Sequence, residues 1–332
     1  MNTDLASAQL AVRHAIDAAL ADLDPRQPVL VAVSGGADSL ALARGVVACG
    51  RLAAAGIVDH GLQAESAEVA RRATEQCTGL GLDPVMAERV SVTGGAGPEA
   101  AARDARRSAL EDMASRIGAN AILLAHTRDD QAETVLIRLA RGSGARSLAA
   151  IAPVTGIWRR PLLDLPRGVV RASVADLAAW EDPHNTDPTY ARTRVRHEAL
   201  PALVEALGPD VVAGLARSAR LLRDDADALD LLAAEAAATA AGPGGALEVE
   251  ALVKLPRALR TRIIRSAILA AGCPGASLTS AHIDRVETLV SDWRGQGGVD
   301  LPGGLCAERA YGRLTFLRVP PVADRRRDKR EE

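Results

Sequence analysis

The stretch that decides the fold is residues 29–43, with the sequence VLVAVSGGADSLALA. Residues 29–33 are apolar and rich in β-branched side chains, which predicts a buried strand, and residues 39–43 predict a helix. The loop between them, Ser34–Ser39, contains two adjacent glycines. Glycines let backbone N–H groups approach an anion, and the helix N-terminus adds a partial positive charge. The stretch therefore predicts a phosphate-binding loop between a strand and a helix.

Two other interpretations of this loop are less well supported. It is not a Walker A loop, because no lysine closes it. The alternative is a glycine-rich turn in which Ser39 caps the helix. Five defined residues in the right context would arise by chance in on the order of one chain in a thousand at average residue usage. The phosphate site is therefore favoured.

The alternation of strand and helix continues after residue 43. Strands are predicted near 52–58, 84–90 and 121–125, and helices near 65–80, 98–117 and 129–140. Strands that alternate with helices predict a Rossmann-like, doubly wound parallel sheet that is covered on both faces. Ligands of such sheets bind beyond the carboxyl ends of the strands, where the polar segments 34–39, 59–62 and 126–133 fall.

The character of the chain changes after about residue 205. Helical periodicity is present at 209–241, 256–271 and 279–291, and residues 305–317 predict a small hairpin. We therefore expect a catalytic domain over residues 1–205, a smaller and mainly helical domain over 206–320, and a charged tail over 321–332.

Bulk properties limit the classes of function. The chain has 332 residues and is 48% hydrophobic, but it has no window that would span a bilayer and begins without a signal-peptide pattern, so we expect a cytoplasmic protein. A net charge of −2 means that any contact with RNA must be a local basic patch. The four cysteines are far apart and predict neither a zinc site nor a redox pair.

A second polar cluster surrounds the start of the helix predicted at 129–140. His126 ends a strand, and Asp129, Asp130 and Glu133 open the helix, so their carboxylates point to one edge of the cleft. Carboxylates beside a phosphate site suit Mg²⁺, and they also suit an ammonium substrate. The alternative is that these acidic residues only complement the helix dipole.

These motifs resemble a known family. The SGGADS loop resembles the signature of the PP-loop ATP pyrophosphatases, which cleave ATP between the α and β phosphates and activate a carbonyl oxygen as its adenylate. Within that group, residues 58–62 (VDHGL) and 126–134 (HTRDDQAET) look like motifs of the tRNA(Ile)-lysidine synthetase family. The resemblance is strong over residues 29–205 and looser beyond.

The resemblance implies an ATP-dependent ligase. Lysine would be attached to C2 of the wobble cytidine, position 34, of a tRNA(Ile) with a CAU anticodon, through an adenylated tRNA, with release of AMP and diphosphate. The implied ATP-binding residues are Ser34, Gly35, Gly36, Ala37, Asp38 and Ser39. The implied catalytic residues are Asp38, His126, Asp129, Asp130 and Arg106, with His126 as the candidate base. L-lysine would contact Arg106, Asp130 and Glu133, and Mg²⁺ would contact Asp38 and Asp129.

Two more segments resemble the family. Residues 99–107 (EAAARDARR) supply Arg106, with Arg107 where tyrosine is usual. Residues 181–196 (EDPHNTDPTYARTRVR) have His184 in place of a small hydroxyl residue and Thr193 in place of asparagine. Arginines beside an asparagine turn suit phosphate and base-edge contacts. The predicted tRNA-binding residues are Asn185, Arg192, Arg194 and Arg196 from this segment, and Arg217 and Arg220, whose spacing puts them on one face of the next helix. In both segments, the alternative is a solvated charged helix face.

The loops 141–146 and 158–163 also match the family. The competing enzyme class is another PP-loop enzyme that modifies tRNA, such as a thiolase, which generally needs catalytic cysteines, often in CxxC pairs. A nucleotide-binding module without catalysis is the other alternative, and it would not require the carboxylate cluster. No stable protein partner is predicted, and a homodimer stays open.

Overall fold

The structure of the chain is a computed structural model that describes residues 2–59, 61, 65–90 and 98–318. The chain forms two compact units, Met1–Arg223 and Asp224–Glu332. The side chains of His184 and Asn185 lie outside the described part, as do His60, Leu62 and the tail residues 325–330.

The first unit confirms the alternation of strands and helices that the sequence predicts. Its elements in order are α1 Asn2–Ala19, β1 Val29–Val33, α2 Ala37–Ala48, β2 Ala53–Asp59, α3 Ser66–Leu80, β3 Val85–Arg89, α4 Pro98–Ile117, β4 Ala121–Leu123 and α5 Arg128–Leu139. The bounds of β1 and α4 are those predicted, whereas β4 ends two residues early.

A six-stranded sheet organises this unit, in the order β3-β2-β1-β4-β6-β5, where β5 is Val154–Thr155 and β6 is Trp158–Arg159. All neighbouring strands are parallel except β5, which runs antiparallel to β6. The doubly wound parallel sheet is therefore confirmed, with a short antiparallel edge strand.

Both faces of β1 are buried, which explains its unbroken apolar run. Val29, Val31 and Val33 point into a cluster that includes residues of α1, α2 and α3. Leu30 and Ala32 point into a second cluster that includes residues of α4. Side chains of a strand alternate between faces, so a strand covered on both sides needs apolar residues at every position.

Several short elements of the first unit were not predicted. They are α6 Ala145–Leu148, α7 Arg167–Ala172, the 3₁₀ turn Pro183–Thr186, α8 Ala191–Arg194, the π-helical turn Val195–Ala199 and α9 Leu200–Leu207. Pro201 lacks a backbone N–H group, so regular α-helical bonding is interrupted where the π-helical turn lies. The long helix α10, Val211–Ala240, follows.

The second unit combines helices with a small antiparallel sheet. The helices after α10 are α11 Val249–Val253, α12 Arg257–Ala270 and α13 Ser280–Ser291, and a 3₁₀ turn spans Pro243–Gly245. The strands are β7 Leu247–Glu248, β8 Val299–Leu301, β9 Leu305–Ala310 and β10 Arg313–Arg318, in the order β7-β10-β9-β8. The hairpin predicted at 305–317 is confirmed as β9 and β10. Tyr311 and Gly312 both have positive φ at its tip, as two-residue hairpins favour.

Among the described residues, no single helix is long and apolar enough to cross a membrane. The helical stretches Ala191–Leu207 and Val211–Ala240 meet the criteria of length and hydropathy only when they are taken together, and the chain bends by 100° between them.

Candidate functional site

The loop Ser34–Ser39 lies at the point where the order of the strands in the sheet reverses. The chain adds β2 and β3 on one side of β1 and β4 on the other. Ligands of doubly wound sheets bind in the crevice at this switch point. Gly35 has a φ of +80°, a conformation that L side chains rarely adopt, and its carbonyl accepts a hydrogen bond from the Trp180 backbone N–H at 2.9 Å. The loop is therefore held at the crevice in a shape that requires glycine.

Ser39 closes the loop on itself. Its hydroxyl donates to the Gly36 carbonyl at 2.8 Å and accepts from the Ser34 backbone N–H at 3.2 Å. Gly36, not Ser39, is the N-cap of α2, and no side chain caps this helix end. The alternative in which Ser39 is the cap is therefore wrong. An uncapped helix N-terminus at the end of a parallel strand suits a phosphate group.

Asp38 lies in the first turn of α2 and lacks a close partner. Its Oδ1 atom is buried without a hydrogen bond, and the nearest cations are Arg167 Nε at 3.9 Å and Arg171 Nε at 4.0 Å. Burial raises the pKa of the Asp38 carboxyl, and the charge of Arg167 opposes that shift. A partly desolvated carboxylate oxygen without a donor suits a bound cation.

A magnesium ion at Asp38 would need ligands from its nucleotide. Among the described residues, no group of three or more His, Cys, Asp or Glu side chains is placed to hold a metal ion. Asp129 does not offer a free carboxylate, because its Oδ2 accepts a hydrogen bond from the Arg167 backbone N–H at 2.7 Å. Mg²⁺ usually takes one or two carboxylates and completes its shell with phosphate oxygens and water, and the orphaned oxygen of Asp38 fits that role.

The N-terminus of α5 holds Asp130 in a defined position. Thr127 is the N-cap, and its backbone N–H and hydroxyl donate to Asp130 Oδ2 at 2.7 and 2.8 Å. The two residues form a capping box, so the helix-end alternative for this cluster is correct for one oxygen of Asp130. The other oxygen, Oδ1, points away from the cap and is available for other contacts.

Asp130 and Glu133 form an arginine–carboxylate cluster with Arg167, Arg192 and Arg196. Asp130 Oδ1 accepts from Arg167 Nη2 and Arg192 Nη2, both at 3.0 Å. Glu133 is fully buried and accepts from Arg167 Nη1 at 3.0 Å, Arg192 Nε at 2.9 Å and Arg196 Nε at 2.7 Å. Three guanidinium groups for two carboxylates give this cluster one excess positive charge.

The arginines determine the ionisation of the two carboxyls. Burial by itself would raise the pKa of Asp130, but the charges of Arg167 and Arg192 outweigh it, so this pKa lies below its usual value. Burial acts in the same sense on Glu133, and its bonds and charges with Arg196 and Arg167 lower its pKa as well. Both carboxyls are therefore ionised at neutral pH.

His126 and Arg106, like Asp38, lack the close partners that Asp130 and Glu133 have among the described residues. Burial lowers the pKa of His126 to about 4, and although the charge of Asp130 opposes this, those of Arg160, Arg192 and Arg106 reinforce it. The His126 Nδ1 atom is buried without a hydrogen bond. Arg106 on α4 is half-buried, and burial together with Arg103 lowers its pKa. It makes no hydrogen bond or ion pair with any residue that the structure describes.

The remaining predicted residues are placed in three ways. Arg194 Nη1 donates to the carbonyls of Pro188 and Thr189, at 2.6 and 2.9 Å, and so holds its own loop. Arg217 and Arg220 are exposed on α10. Asn185 is not described beyond its backbone. A cavity of about 280 Å³ lies within the segment 186–198. It is lined by Thr186, Pro188, Thr193, Arg194, His197 and Glu198.

Sequence reasoning missed Arg167, which contacts more site residues than any other arginine described. Its guanidinium bonds Asp130 and Glu133, and its backbone N–H bonds Asp129. The only local signal is Pro166, which precedes the helix α7 as its N-cap. The alternative of a solvated helix face holds for Arg107, which pairs with Glu111 at 3.2 Å and lies over the Trp158 ring at 4.9 Å.

The comparison with solved structures supports the fold. The chain resembles a U34-tRNA thiolase from Methanococcus maripaludis, with a TM-score of 0.53 and 19% sequence identity over 64% of this chain and 78% of that one. This likeness shows the fold alone. The four cysteines of the present chain, Cys49, Cys77, Cys273 and Cys306, are all free thiols.

Sequence comparisons identify the family. A model described as a PP-loop domain matches residues 8–203, and one described as a TilS substrate binding domain matches residues 247–315. The chain is 54% identical over 311 residues to a tRNA(Ile)-lysidine synthase of Thermobifida fusca (strain YX), covering 91% of this chain and 95% of the relative. It is 52% identical over 297 residues to that of Streptomyces coelicolor, covering 87% and 84%. With a PP-loop unit, a substrate-binding unit and such relatives, the chain belongs to the tRNA(Ile)-lysidine synthase family.

Proposed function

We propose that this protein ligates L-lysine to C2 of the wobble cytidine, position 34, of a tRNA(Ile) with a CAU anticodon, using ATP and releasing AMP and diphosphate. The observation that carries the proposal is the meeting of two kinds of site at one sheet edge. The anion-binding loop follows β1, and the buried carboxylates follow the adjacent strand β4. Neighbouring strands are about 4.8 Å apart, so a nucleotide on the loop lies beside the carboxylates.

The first step in this proposal is adenylation of the tRNA. The loop Ser34–Ser39 and the N-terminus of α2 hold the phosphates of ATP by backbone N–H groups. The cytidine O2 attacks the α-phosphorus, the bond between the α and β phosphates breaks, and diphosphate leaves. Asp38, and Asp129 through the oxygen that does not accept from the Arg167 backbone N–H, would hold Mg²⁺, which would neutralise phosphate charge. Activating O2 in this way divides a difficult substitution into two easier steps.

The second step is attack by lysine. Its amine forms a bond to C2, the bond between C2 and O2 breaks, and AMP leaves. Asp130 and Glu133 bind an ammonium group of the amino acid, and Arg106 binds its carboxylate. The absence of an ion pair at Arg106 among the described residues supports this assignment, because a half-buried guanidinium is stabilised by an incoming anion.

An ammonium group at Asp130 and Glu133 must replace a guanidinium. The cluster already has one more cation than carboxylates, so a further cation would be repelled. Arg192 is the most exposed of the three arginines, with 41% of its side chain accessible, against 21% for Arg196 and 14% for Arg167. We therefore assign to Arg192 the movement that admits lysine.

His126 is the proton acceptor in this proposal. With a pKa of about 4 it is neutral at pH 7 and has a free lone pair, but it is a weak base while arginines surround it. Bound phosphates would offset the charges of Arg160, Arg192 and Arg106, and the pKa of His126 would rise towards its ordinary value. Base strength would then depend on the presence of the substrates.

The proposal assigns the two parts of the chain to different tasks. Residues 1–205 form the catalytic domain, and residues 206–320 bind tRNA in a protein that acts in the cytoplasm. The tRNA contacts that the sequence pattern indicates are Asn185, Arg192, Arg194, Arg196, Arg217 and Arg220. Of these, Arg192 and Arg196 would reach RNA only by leaving Asp130 and Glu133.

The test is transfer of radiolabelled lysine to tRNA. Purified protein, ATP, Mg²⁺ and tRNA(Ile) with a CAU anticodon should incorporate lysine and release one diphosphate for each lysine, and tRNA(Met) should serve as the control that is not modified. Diphosphate release without lysine incorporation would contradict the proposal. Incorporation of sulfur into the tRNA would instead favour the thiolase alternative.

A further inference from the structure

The turn at residues 147–152, here called the carbonyl turn, is held by side chains that donate to its backbone. Arg138 Nη1 donates to the carbonyls of Ser147 and Ala150, at 2.6 and 3.2 Å. Arg160 Nη1 donates to the carbonyl of Ala152 at 2.8 Å. Gln131 bonds both the N–H and the carbonyl of Ile151, at 2.8 and 3.2 Å. Arg223 Nη2 also donates to the carbonyl of Ala149. The turn therefore fixes Arg138 and Arg160 through carbonyls, which do not neutralise their charge.

Arg138 and Arg160 differ in this from Arg44, Arg159 and Arg167, which are also partly buried in the first unit. Neither forms an ion pair with a carboxylate of the described residues, whereas Arg44, Arg159 and Arg167 do. Each is also close to like charges. Burial and then Arg141 lower the pKa of Arg138, and burial and then Arg107 and Arg223 lower that of Arg160. The excess positive charge persists beside the carbonyl turn.

Arg160 also retains donors that the protein does not use. Its Nε atom is buried without a hydrogen-bond partner, while Nη1 is bound to the turn. A guanidinium has five N–H donors in a fixed fork that matches two oxygens of a phosphate. Arg160 is thus positioned by the turn and has hydrogen-bonding capacity left for an anion.

The position of Arg160 indicates which anion this is. Arg160 directly follows β6, which pairs with β4, and its charge is among those that lower the pKa of His126. The phosphate-binding loop follows β1, two strands from β6 and so about 10 Å away across the sheet. An anion at Arg160 would lie beside the reacting nucleotide on the side away from the ATP phosphates.

We propose that Arg138 and Arg160 bind backbone phosphates of the tRNA, Arg160 beside the nucleotide that is modified, with the carbonyl turn as their rigid support. The proposal rests on the proposed function only in naming tRNA as the polyanion. It differs from the contacts that the sequence pattern indicates, because Arg192 and Arg196 are paired with Asp130 and Glu133, whereas Arg138 and Arg160 pair with no carboxylate of the part of the chain that the structure describes. In an acidic protein, arginines that are not paired with carboxylates are the ones that attract RNA.

The test compares two adjacent arginines, of which Arg159 is paired with a carboxylate and Arg160 is bound to a carbonyl. Arg160→Gln removes the charge but leaves an amide that can donate to Ala152. Arg159→Gln is the matched control, because Arg159 is paired with Asp22 through bonds of 2.6 and 2.8 Å. The affinity for tRNA is measured from about 50 to 300 mM KCl, because binding through phosphate contacts weakens steeply over roughly this range of salt concentration. Affinity for ATP is measured on the same proteins.

We expect Arg160→Gln and Arg138→Gln each to lower the magnitude of the salt slope by about 0.7 to 0.9. Binding of tRNA should weaken several-fold at low salt, affinity for ATP should be unchanged, and Arg159→Gln should behave as wild type. Arg160→Lys retains the charge and should restore the slope, which a purely structural role would not predict.

Three results would overturn the inference: an unchanged slope in folded Arg160→Gln, an equal change in Arg159→Gln, or a loss of ATP affinity in place of tRNA affinity. The last would assign this anion site to the nucleotide. Lysine transfer by the wild-type protein is scored separately, so failure of this inference is distinguishable from failure of the proposed function.

Discussion

The substitution Asp130→Asn tests the assignment of the lysine site. It retains the shape of the side chain and removes its charge. Thr127 presents two donors to Oδ2, at 2.7 and 2.8 Å, so the amide oxygen of asparagine must take that position. The amide NH₂ then faces Arg167 and Arg192, where Oδ1 stood at 3.0 Å from both. The acceptor that an ammonium group would use is therefore replaced by a donor.

The expected effect follows from the strength of that hydrogen bond. A hydrogen bond to a charged group contributes about 1.5–3 kcal/mol. Since a tenfold change in affinity corresponds to about 1.4 kcal/mol, the KM for lysine should rise about 10- to 150-fold. The ATP phosphates are bound by the loop after β1, so the KM for ATP should change by less than about threefold, the equivalent of a change under ~0.7 kcal/mol.

The assay is lysine transfer to tRNA, with lysine varied at saturating ATP and ATP varied at saturating lysine. Glu75→Gln is the control, because Glu75 is an exposed carboxylate on α3 that contacts only Arg71 among the described residues. Equal rises in both KM values would show that Asp130 serves the nucleotide and its metal, and an unchanged KM for lysine would place the ammonium site elsewhere. Circular dichroism and thermal unfolding verify that each variant is folded.

Four further variants test the other parts of the site and the tRNA contacts. Asp38→Ala should abolish tRNA-dependent diphosphate release while the melting temperature stays within a few degrees, because Oδ1 has no hydrogen bond to lose; near wild-type release would refute the PP-loop assignment. Glu133→Gln should destabilise the protein by about 3–5 kcal/mol in urea unfolding, as removal of one member of a buried ion pair does. Because the folded-state pKa of Glu133 is lowered, its contribution is complete above the unfolded value of about 4.3 and is lost as pH falls through the folded value, so this variant should show a shallower loss of stability below about pH 4.3; an equal slope would contradict it. Arg217→Ala/Arg220→Ala should lower the salt slope of tRNA binding by roughly 1 for each phosphate that is no longer neutralised, and Asn185→Ala should slow single turnover at saturating tRNA; an unchanged slope would place RNA binding on other residues.

The tertiary structure gives the arginines near residue 196 partners that the sequence pattern does not indicate. The pattern of Arg192, Arg194 and Arg196 suggested three phosphate contacts. Arg192 and Arg196 instead bond the carboxylates of Asp130 and Glu133, and Arg194 bonds the carbonyls of its own loop. A run of like charges in a sequence does not reveal which charges are compensated, because the compensating residues lie 59 to 66 positions away.

The sequence by itself determined the layered sheet, the glycine loop and the hairpin. A strand buried on both faces must be apolar at each successive position, as Val29–Val33 is, and a left-handed turn must have glycine, as at Gly35. Long amphipathic helices such as α3 repeat their pattern often enough to be bounded to within a residue. These features depend on residues that are neighbours along the chain, so the local sequence is enough to predict them.

Only the tertiary structure decided which charges face each other at the site. The strands β5 and β6 and the helix α7 have two to six residues, too few to show a period, yet they bring Arg160 and Arg167 to the crevice. Arg167, together with Arg192 and Arg196, then pairs with Asp130 and Glu133, whereas Arg160 is held by a carbonyl and has no carboxylate partner among the described residues. Electrostatic interaction depends on distance and burial rather than on separation along the chain, and for these residues both are set by the folding of the sheet.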